Sequence, residues 1–557
     1  MKKCEILWKI IAKNDIDYVF GLPGTPIVSL LAHKPTAIKW VNIGNELDNG
    51  FIAQSYGIFA QKTGVLVVTN GPGIGSTVSS MANAVHEKNP LVVISTIDED
   101  GFHAWDIAHV AKAITKYTIL VHPRDDFEKK VNLAFYLANT FNTGVILLVD
   151  PTCFLQTTPY HNYRLNFNTM FSFDNPHKIV KNIQDHLNDT DTLVVIGYMH
   201  KVNYDVLKHF LTRNNIPFVL TWKERTMLTN RNNCGMIGTL GNHSAHYAVY
   251  NARNLLIFGN VSSRLNNSYN GAFSLNYKLK KENIYSVVTE PSDAINHSTA
   301  VFTTDNFNSI LSHLRLNAPP AFLEKLSISN ALLREPLQPK SELEKYGYVS
   351  SLIYQHKHLD IPVVTGVGSH WCAVGKYFIT SKPNNWLSST EWASIGCGYF
   401  YGIGAYLATK KPVWIFEGDG GTVFSSPSLL YLINNKHLPL TVIIFRDHLY
   451  SAVVHTFEQT MPTHKKNEDI ICTPPHIDYD ILPNCHQFHA VKEFYEYLSK
   501  HPVSKTLRFL IVHLRKPKVY KSKIYAVNNH DKNYTALLQA DDLEGIRTYE
   551  SVPYDFL

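Results

Sequence analysis

Phe416-Glu417-Gly418-Asp419-Gly420-Gly421, answered downstream by Arg446-Asp447-His448, decides the fold of this 557-residue chain. An apolar run, Pro412 to Phe416, leads straight into Gly-Asp-Gly. A helix-like segment follows over Pro427 to Asn435, and a second apolar run, Leu440 to Phe445, ends on Asp447. Strand, glycine turn, helix, strand is one right-handed βαβ unit, and it sets both aspartates at the carboxyl ends of parallel strands. Glycines let backbone approach a phosphate, and the helix N-terminus behind them favours anionic oxygen. Two carboxylates beside that anion site suit a hard divalent cation such as Mg2+, which binds phosphate oxygens in turn. The unit therefore predicts a metal–diphosphate clamp. Asn434-Asn435 reads as the end of the helix and not as a ligand pair.

Outward from the clamp, short β-branched runs alternate with helical stretches along the whole chain. They are Val65 to Thr69, Leu91 to Ile94, Val145 to Val149, Thr192 to Ile196, Phe218 to Thr221, Leu255 to Phe258, Tyr285 to Val288, Pro362 to Thr365, Val413 to Phe416, Thr441 to Phe445 and Phe509 to Val512. Near-continuous apolar strands of this kind belong to parallel sheets covered on both faces. Polar, proline-bearing stretches at about 150–176 and 318–342 divide them. The expectation is α/β throughout: three doubly wound parallel-sheet domains over 1–160, 175–320 and 340–520, with a C-terminal tail over 521–557. The first and last domains share a plan of strand, glycine-rich turn, helix and strand.

Composition excludes several classes. An apolar fraction of 45% with 18% charged residues is ordinary for a globular chain. The net charge of +6 is small for this length and forms no run, so no nucleic-acid partner is expected. Seven cysteines stand singly without a CxxC pair, which argues against a zinc ribbon or disulfide framework and for a reducing, cytoplasmic location. Lys9 and Lys13 interrupt the apolar N-terminal stretch, where Ile6, Leu7, Ile10 and Ile11 keep helical spacing, so this is an amphipathic helix and not a signal peptide. No apolar run is long enough to span a bilayer, and no membrane partner is expected.

Two further segments precede the clamp. Val363-Val364-Thr365-Gly366-Val367-Gly368-Ser369-His370-Trp371 is a strand entering a glycine turn whose Ser369 and His370 can donate to phosphate; alone, it is equally a plain βα loop. Ser389 to Gly398, then Tyr401-Gly402-Ile403-Gly404-Ala405, is rich in small residues with one bulky side chain, Ile395. It fits either close packing to a flat ligand or a helix-packing seam.

Phosphate turn, small-residue loop with a bulky aliphatic, and Gly-Asp-Gly with a distal carboxylate together resemble the diphosphate domain of thiamine-diphosphate enzymes. The N-terminal third resembles the partner pyrimidine domain: Val19-Phe20-Gly21-Leu22-Pro23-Gly24, the glutamate helix from Gly44-Asn45-Glu46 to Gly57, Thr69-Asn70-Gly71-Pro72-Gly73, and Asn83-Ala84. The middle third, with Val194 to Gly197, Gly235 to Gly241 and Leu255 to Gly259, is similar to the family's central domain. Nearly the whole chain is covered in order, and the likeness is strongest to the acetolactate-synthase-like branch.

The resemblance implies thiamine diphosphate and Mg2+ bound across the interface of a homodimer or homotetramer. Glu46 is implied to hydrogen-bond the pyrimidine ring, the Ala393 carbonyl to accept from the pyrimidine amine, and Ile395 to prop the cofactor's bend. Pro23, Gly24, Gly73, Asn83, Ser369, His370, Ser394, Gly418, Asp419, Gly420, Gly421 and Tyr450 complete the implied cofactor contacts. Asp419, Asp447 and the Leu449 backbone oxygen are the implied metal ligands. The family commonly ends this motif in Asn-Asn; here Arg446-Asp447 adds a negative charge that Arg446 can offset. Asn45 stands where a histidine commonly precedes the glutamate, and His103 where the branch usually has glutamine; the latter is implied to orient the substrate or shuttle a proton. The segment from Tyr450 to Lys466 is implied to cover the active site, with Ala452, Val453 and Phe457 setting specificity. Cys472-Thr473-Pro474-Pro475-His476 is unassigned. FAD, often present in the branch, is left open by Arg264 and the Gly235–Gly241 loop; with no GxGxxG fingerprint it is not the expectation.

The function expected is decarboxylation of a 2-oxo acid, with transfer of the resulting acyl carbanion to an acceptor carbonyl: a transferase or lyase chemistry. The alternatives are a decarboxylase that releases an aldehyde and a cofactor-binding, non-catalytic oligomeric subunit.

Overall fold

The computed structural model describes residues 1–97, 105–163, 171–199, 201–224, 230–238, 243–261, 281–295, 298–332, 360–371, 374, 385–454 and 471–514. These contain three six-stranded sheets, parallel throughout. The first is built from β1 (Tyr18–Gly21), β2 (Lys39–Val41), β3 (Gly64–Val67), β4 (Leu91–Thr96), β5 (Tyr117–Val121) and β6 (Gly144–Val149), in the order β2-β1-β3-β4-β6-β5. The second holds β7 (Thr192–Ile196), β8 (Phe218–Leu220), β9 (Asn233–Met236), β10 (Asn254–Phe258), β11 (Asn283–Val288) and β12 (Ala300–Thr303), ordered β12-β11-β10-β7-β8-β9. The third has β13 (Val363–Thr365), β14 (Trp386–Ser388), β15 (Val413–Gly418), β16 (Leu440–Arg446), β17 (Cys485–Phe488) and β18 (Arg508–His513), ordered β14-β13-β15-β16-β18-β17.

Counted from its own first strand, the third sheet repeats the strand order of the first, so the shared plan is a shared topology. In both, the winding direction reverses between the first and third strands. Such a switch point opens a crevice at the strands' carboxyl ends, where α/β folds take ligands. The central sheet has the strand order of dinucleotide-binding folds without their glycine fingerprint. Every apolar run read from the sequence is a strand.

One local expectation is corrected. The helix of the clamp begins at Asp419 itself, as Asp419–Phe424, and Ser426–Asn434 continues after a break at Ser425. Pro427 falls in the first turn of the second piece, where its missing N–H leaves no bond unmade. Asn435 caps that helix. At the N-terminus the Lys3–Lys13 helix buries Ile6, Leu7, Ile10 and Ile11.

The first and third sheets share one hydrophobic core running from Tyr18 and Phe51 to Phe400 and Ile511. Its centre is the contact of the glutamate helix (Glu46–Ala60) with the helix Cys397–Thr409. Phe51 stacks on Phe400 at 5.3 Å, and the Ser55 hydroxyl donates to the Tyr401 carbonyl at 2.6 Å. A side chain on Gly404 would lie 2.5 Å from the Ile52 carbonyl oxygen and 2.8 Å from the Tyr56 nitrogen. The Tyr401-to-Ala405 glycines are therefore a packing seam. Because backbone cannot move aside, Gly404→Ala should destabilise the fold by about 1–3 kcal/mol. Chemical unfolding of the two proteins measures this, and equal midpoints would show that the seam tolerates a methyl group.

The central domain is tied to the first by Glu290, which accepts from Lys88 (3.3 Å), Lys116 (2.9 Å) and the Tyr117 hydroxyl (2.8 Å). Burial pushes its carboxyl upward, but the two lysines and the tyrosine more than compensate and hold it below its ordinary 4.5. Asp293 also meets Lys88, at 2.7 Å, yet its burial wins and keeps it above its ordinary value. A depressed carboxylate stabilises the fold above its unfolded pKa, and that stability is lost as pH falls through the folded value. Glu290→Gln should therefore lower stability near neutrality by about 2 kcal/mol and flatten the acid side of the stability curve below pH 4.5. Melting temperatures measured from pH 3 to 7 on both proteins test this.

Candidate active site

Each repeated topology presents one crevice. In the first sheet, β1 ends at Gly21 and leads to Pro23-Gly24, while β3 leads through Thr69 to the helix Pro72–His86. A side chain on Gly24 would lie 2.7 Å from the Thr69 Cβ, and one on Gly73 would lie 2.9 Å from the Thr69 Cγ2 and 3.6 Å from a Glu46 carboxyl oxygen. Gly24, Thr69, Gly73 and Glu46 are thus neighbours. Asn45 caps the glutamate helix by accepting from the Asp48 N–H at 2.7 Å, which places Glu46 at its first position. The Glu46 side chain is buried, and burial pushes its carboxyl above the ordinary carboxylate range.

In the third sheet the crevice lies between β13 and β15, which pair directly. His370, in the turn after β13, is buried and its Nε2 has no hydrogen-bond partner. Glu417, at the end of β15, is fully buried and accepts from the Gly418 and Gly398 N–H groups at 3.2 Å each. Its carboxylate fills the space a Gly366 side chain would need, with oxygen 1.9 Å from the ideal Cβ position. Burial raises Glu417 to about 8 and lowers His370 to about 3. Their 3.7 Å approach is therefore a contact of neutral groups and not an ion pair. A protonated acid under an anion crevice adds no repulsion, and an orphaned imidazole nitrogen is the kind of group a phosphate oxygen satisfies.

Asp419 and Asp447 follow adjacent parallel strands, β15 and β16. Asp419 accepts from the Gly420 N–H at 2.9 Å and the His448 N–H at 2.7 Å. Asp447 accepts from the Leu449 N–H at 3.1 Å and from the Ser451 hydroxyl. His448 holds a left-handed φ of 65°, the turn that brings its N–H to Asp419. Burial first, and the Asp447 charge second, push Asp419 up to about 7. Two buried like charges whose oxygens keep spare lone pairs fit a divalent cation. Among the described residues no set of three His, Cys, Asp or Glu side chains gathers for a metal. Arg446 lays its guanidinium over the Tyr479 ring at 5.0 Å. The Tyr450 ring lies where a Gly420 side chain would be, 2.3 Å from its ideal Cβ.

Ala393 stands in the loop between β14 and the helix Cys397–Thr409 with a left-handed φ of 54°. Gly396, at φ 76°, caps that helix; any side chain there would meet the Ser425 hydroxyl at 2.2 Å. Ser394 donates its N–H to the Ser389 hydroxyl at 3.1 Å, and Ile395 is half-buried. Asn83 engages protein groups: its amide donates to Gln54 (2.7 Å) and the Tyr401 hydroxyl (2.9 Å) and accepts from the Ser389 hydroxyl (2.7 Å). Ser369 is half-buried and Pro23 exposed. His103, the 455–470 stretch with Phe457, Arg264 and the tail lie outside the described residues. Sequence reading missed Glu417, although an acid ending an otherwise apolar strand was a visible signal. It also missed Asp48, whose buried carboxylate accepts from the Ser428 hydroxyl at 2.6 Å and joins the glutamate helix to the clamp.

The two ends of the chain, each carrying one switch-point crevice, match family models of thiamine pyrophosphate enzymes. The family's N-terminal TPP binding domain matches residues 1–102 and its C-terminal TPP binding domain residues 366–494. Both TPP binding domains of this family of enzymes are thus matched in the chain. Along most of its length it is similar to acetolactate synthases. It is 24% identical to acetolactate synthase 2, chloroplastic, of Brassica napus, over 80% of this chain and 75% of that protein. It is 22% identical to the acetolactate synthase large subunit of Lactococcus lactis, over 88% of this chain and 87% of that one. Among the described residues no helix is long and apolar enough to cross a membrane.

A raised Asp419 favours the protonated fold, so in the metal-free protein its contribution to stability is complete below its ordinary 3.8 and lost as pH rises to about 7. Asp447→Asn removes the like charge and should reduce that loss. Denaturant titrations of both metal-free proteins across this range decide it; parallel curves would mean that the two carboxylates do not interact.

Proposed function

We propose that this protein is a thiamine-diphosphate- and Mg2+-dependent enzyme that decarboxylates a 2-oxo acid and passes the acyl unit to an acceptor carbonyl. The observation that carries the reading is Glu46: an acid buried at the head of its helix, beside Gly73, with its pKa raised by burial. Bound here, thiamine diphosphate supplies a carbon nucleophile for the 2-oxo acid carbonyl and an electron sink for the pair released as CO2 departs. Glu46 shares a proton with the aminopyrimidine ring, a task that needs a carboxyl poised above its ordinary range. The Ala393 carbonyl would accept from the pyrimidine amine, and Ile395 would pack against the cofactor. Asp419, Asp447 and the Leu449 carbonyl hold Mg2+, while Ser369, His370 and the Gly418–Gly421 backbone receive the diphosphate. Pro23, Gly24 and Gly73 line the pyrimidine side. Asn83 supports the cofactor loop through Ser389, and Tyr450 packs over Gly420. His103 is the candidate for orienting the substrate or shuttling a proton. The pyrimidine and diphosphate sides meet between two copies of the chain in a homodimer or a pair of dimers. Carboligation is favoured over simple release of aldehyde by similarity to acetolactate synthases along most of the chain.

Calorimetry of the protein with thiamine diphosphate and Mg2+, followed by CO2 release from a panel of 2-oxo acids, tests the reading. With pyruvate, acetolactate is the expected product; acetaldehyde alone would make the protein a decarboxylase. Glu46→Gln should lower turnover at least 100-fold, about 2.7 kcal/mol of barrier, with cofactor affinity little changed. Unchanged turnover in that variant would falsify the catalytic assignment.

A further inference from the structure

The helix Pro72–His86 reaches from the crevice of the first sheet to the loop beside the crevice of the third. Its head carries Gly73 beside Glu46. Its tail is capped by Glu87, a buried residue whose carboxylate leaves the first domain entirely and enters the cofactor loop of the third. There one oxygen accepts from three consecutive backbone N–H groups, those of Thr390, Glu391 and Trp392, the last at 3.3 Å. The other accepts from the Thr390 hydroxyl at 2.8 Å. Three successive amides converging on one anion form a nest, which fixes the backbone that carries them. The neighbouring contacts act in the same place. Trp392 stacks on His86 with centroids 5.4 Å apart, and its indole N–H donates to the Ser79 hydroxyl at 2.9 Å. Ser389, one residue before the nest, is held by Asn83. Lys223, from the central domain, donates to the Glu87 carbonyl and to the Asn89 side chain (3.0 Å), closing the tail of the helix from the third side.

The residue directly after the nest is Ala393, in its left-handed conformation, followed by Ser394 and Ile395. A left-handed alanine persists only where its surroundings hold it. The nest supplies that restraint. We infer that Glu87 is a positioning residue for the cofactor: its carboxylate sets the loop conformation that aims the Ala393 carbonyl and the Ile395 side chain. Glu87 touches neither cofactor nor substrate and acts through the loop. The inference rests on the thiamine-diphosphate reading above, and it adds that the loop's geometry is imposed by the first domain of the same chain.

The test uses full-length wild type, Glu87→Gln, Glu87→Asp, Thr390→Val and Trp392→Phe. The first readout needs no cofactor: the emission lost in Trp392→Phe identifies the Trp392 signal, which Glu87→Gln should shift to the red. The second is exchange of the thiamine C2 proton with deuterium at saturating cofactor and Mg2+. It should slow at least tenfold in Glu87→Gln, less in Glu87→Asp, and severalfold in Thr390→Val, with the melting temperature of Thr390→Val unchanged. A folded Glu87→Gln protein with wild-type exchange and wild-type Trp392 emission would overturn the inference. If Glu87→Gln does not fold, wild-type exchange in both Glu87→Asp and Thr390→Val overturns it. A wild type that binds no thiamine diphosphate in calorimetry sinks the functional reading instead, and the emission experiment still decides whether Glu87 holds the loop.

Discussion

The approach of two helix backbones at Gly404 is the constraint on which the rest of this structure depends. No side chain separates the glutamate helix from the helix Cys397–Thr409 at that point, so Phe51, Phe400, Ser55 and Tyr401 close around it. Two domains far apart in sequence thereby share a single hydrophobic core. A shared core is rigid in a way that a polar domain interface is not. It fixes the crevice of the first sheet relative to that of the third in the same chain, and it brings the tail of the helix Pro72–His86 to the loop after β14. The Asp48–Ser428 and Asn83–Tyr401 hydrogen bonds are made possible by that registration.

Around this core the site is assembled from acids removed from water. Glu46, Asp48, Glu417 and Asp419 all sit above their ordinary carboxylate range, and in each the first cause is burial. The outcomes differ by neighbour. Glu417 meets a neutral imidazole and two amides, and its burial keeps it protonated. Asp419 faces a second carboxylate, which makes the pair a seat for a cation. Glu46 is raised by burial, which suits the proton sharing proposed for it. One physical effect, desolvation, thus underlies the three roles proposed for these acids.

Much of the fold was legible in the sequence, and the pattern of what was not is physical. The apolar runs found were interior strands, buried on both faces, where side chains of alternate parity are equally apolar. The strands missed are β2, β5, β9, β12, β14 and β17, the two edges of each sheet, together with the four-residue β1. An edge strand needs apolar cover on fewer sides: Lys39 begins β2 and is exposed, Val301 in β12 is exposed, and β17 reads Cys-His-Gln-Phe. The site divides in the same way. Gly-Asp-Gly and Asp447 announce themselves because local topology alone puts them at adjacent strand ends.

By itself the sequence determined the class of fold, the switch-point positions of the glycine turns, and the pairing of a glutamate helix with a carboxylate clamp. The first two follow from periodicity and from residue types at strand ends, which are local properties; the pairing is what the resemblance to thiamine-diphosphate enzymes implies. Only the tertiary structure decided that Tyr401 to Ala405 is a seam between helices, that Asn83 is engaged by protein groups, and that Glu417 lies protonated against His370. It alone showed the Glu87 carboxylate held against the amides of Thr390, Glu391 and Trp392. Each of those depends on contacts between residues far apart in sequence, and a carboxylate's burial and neighbours, which set its charge and its task, are fixed only when the sheets pack.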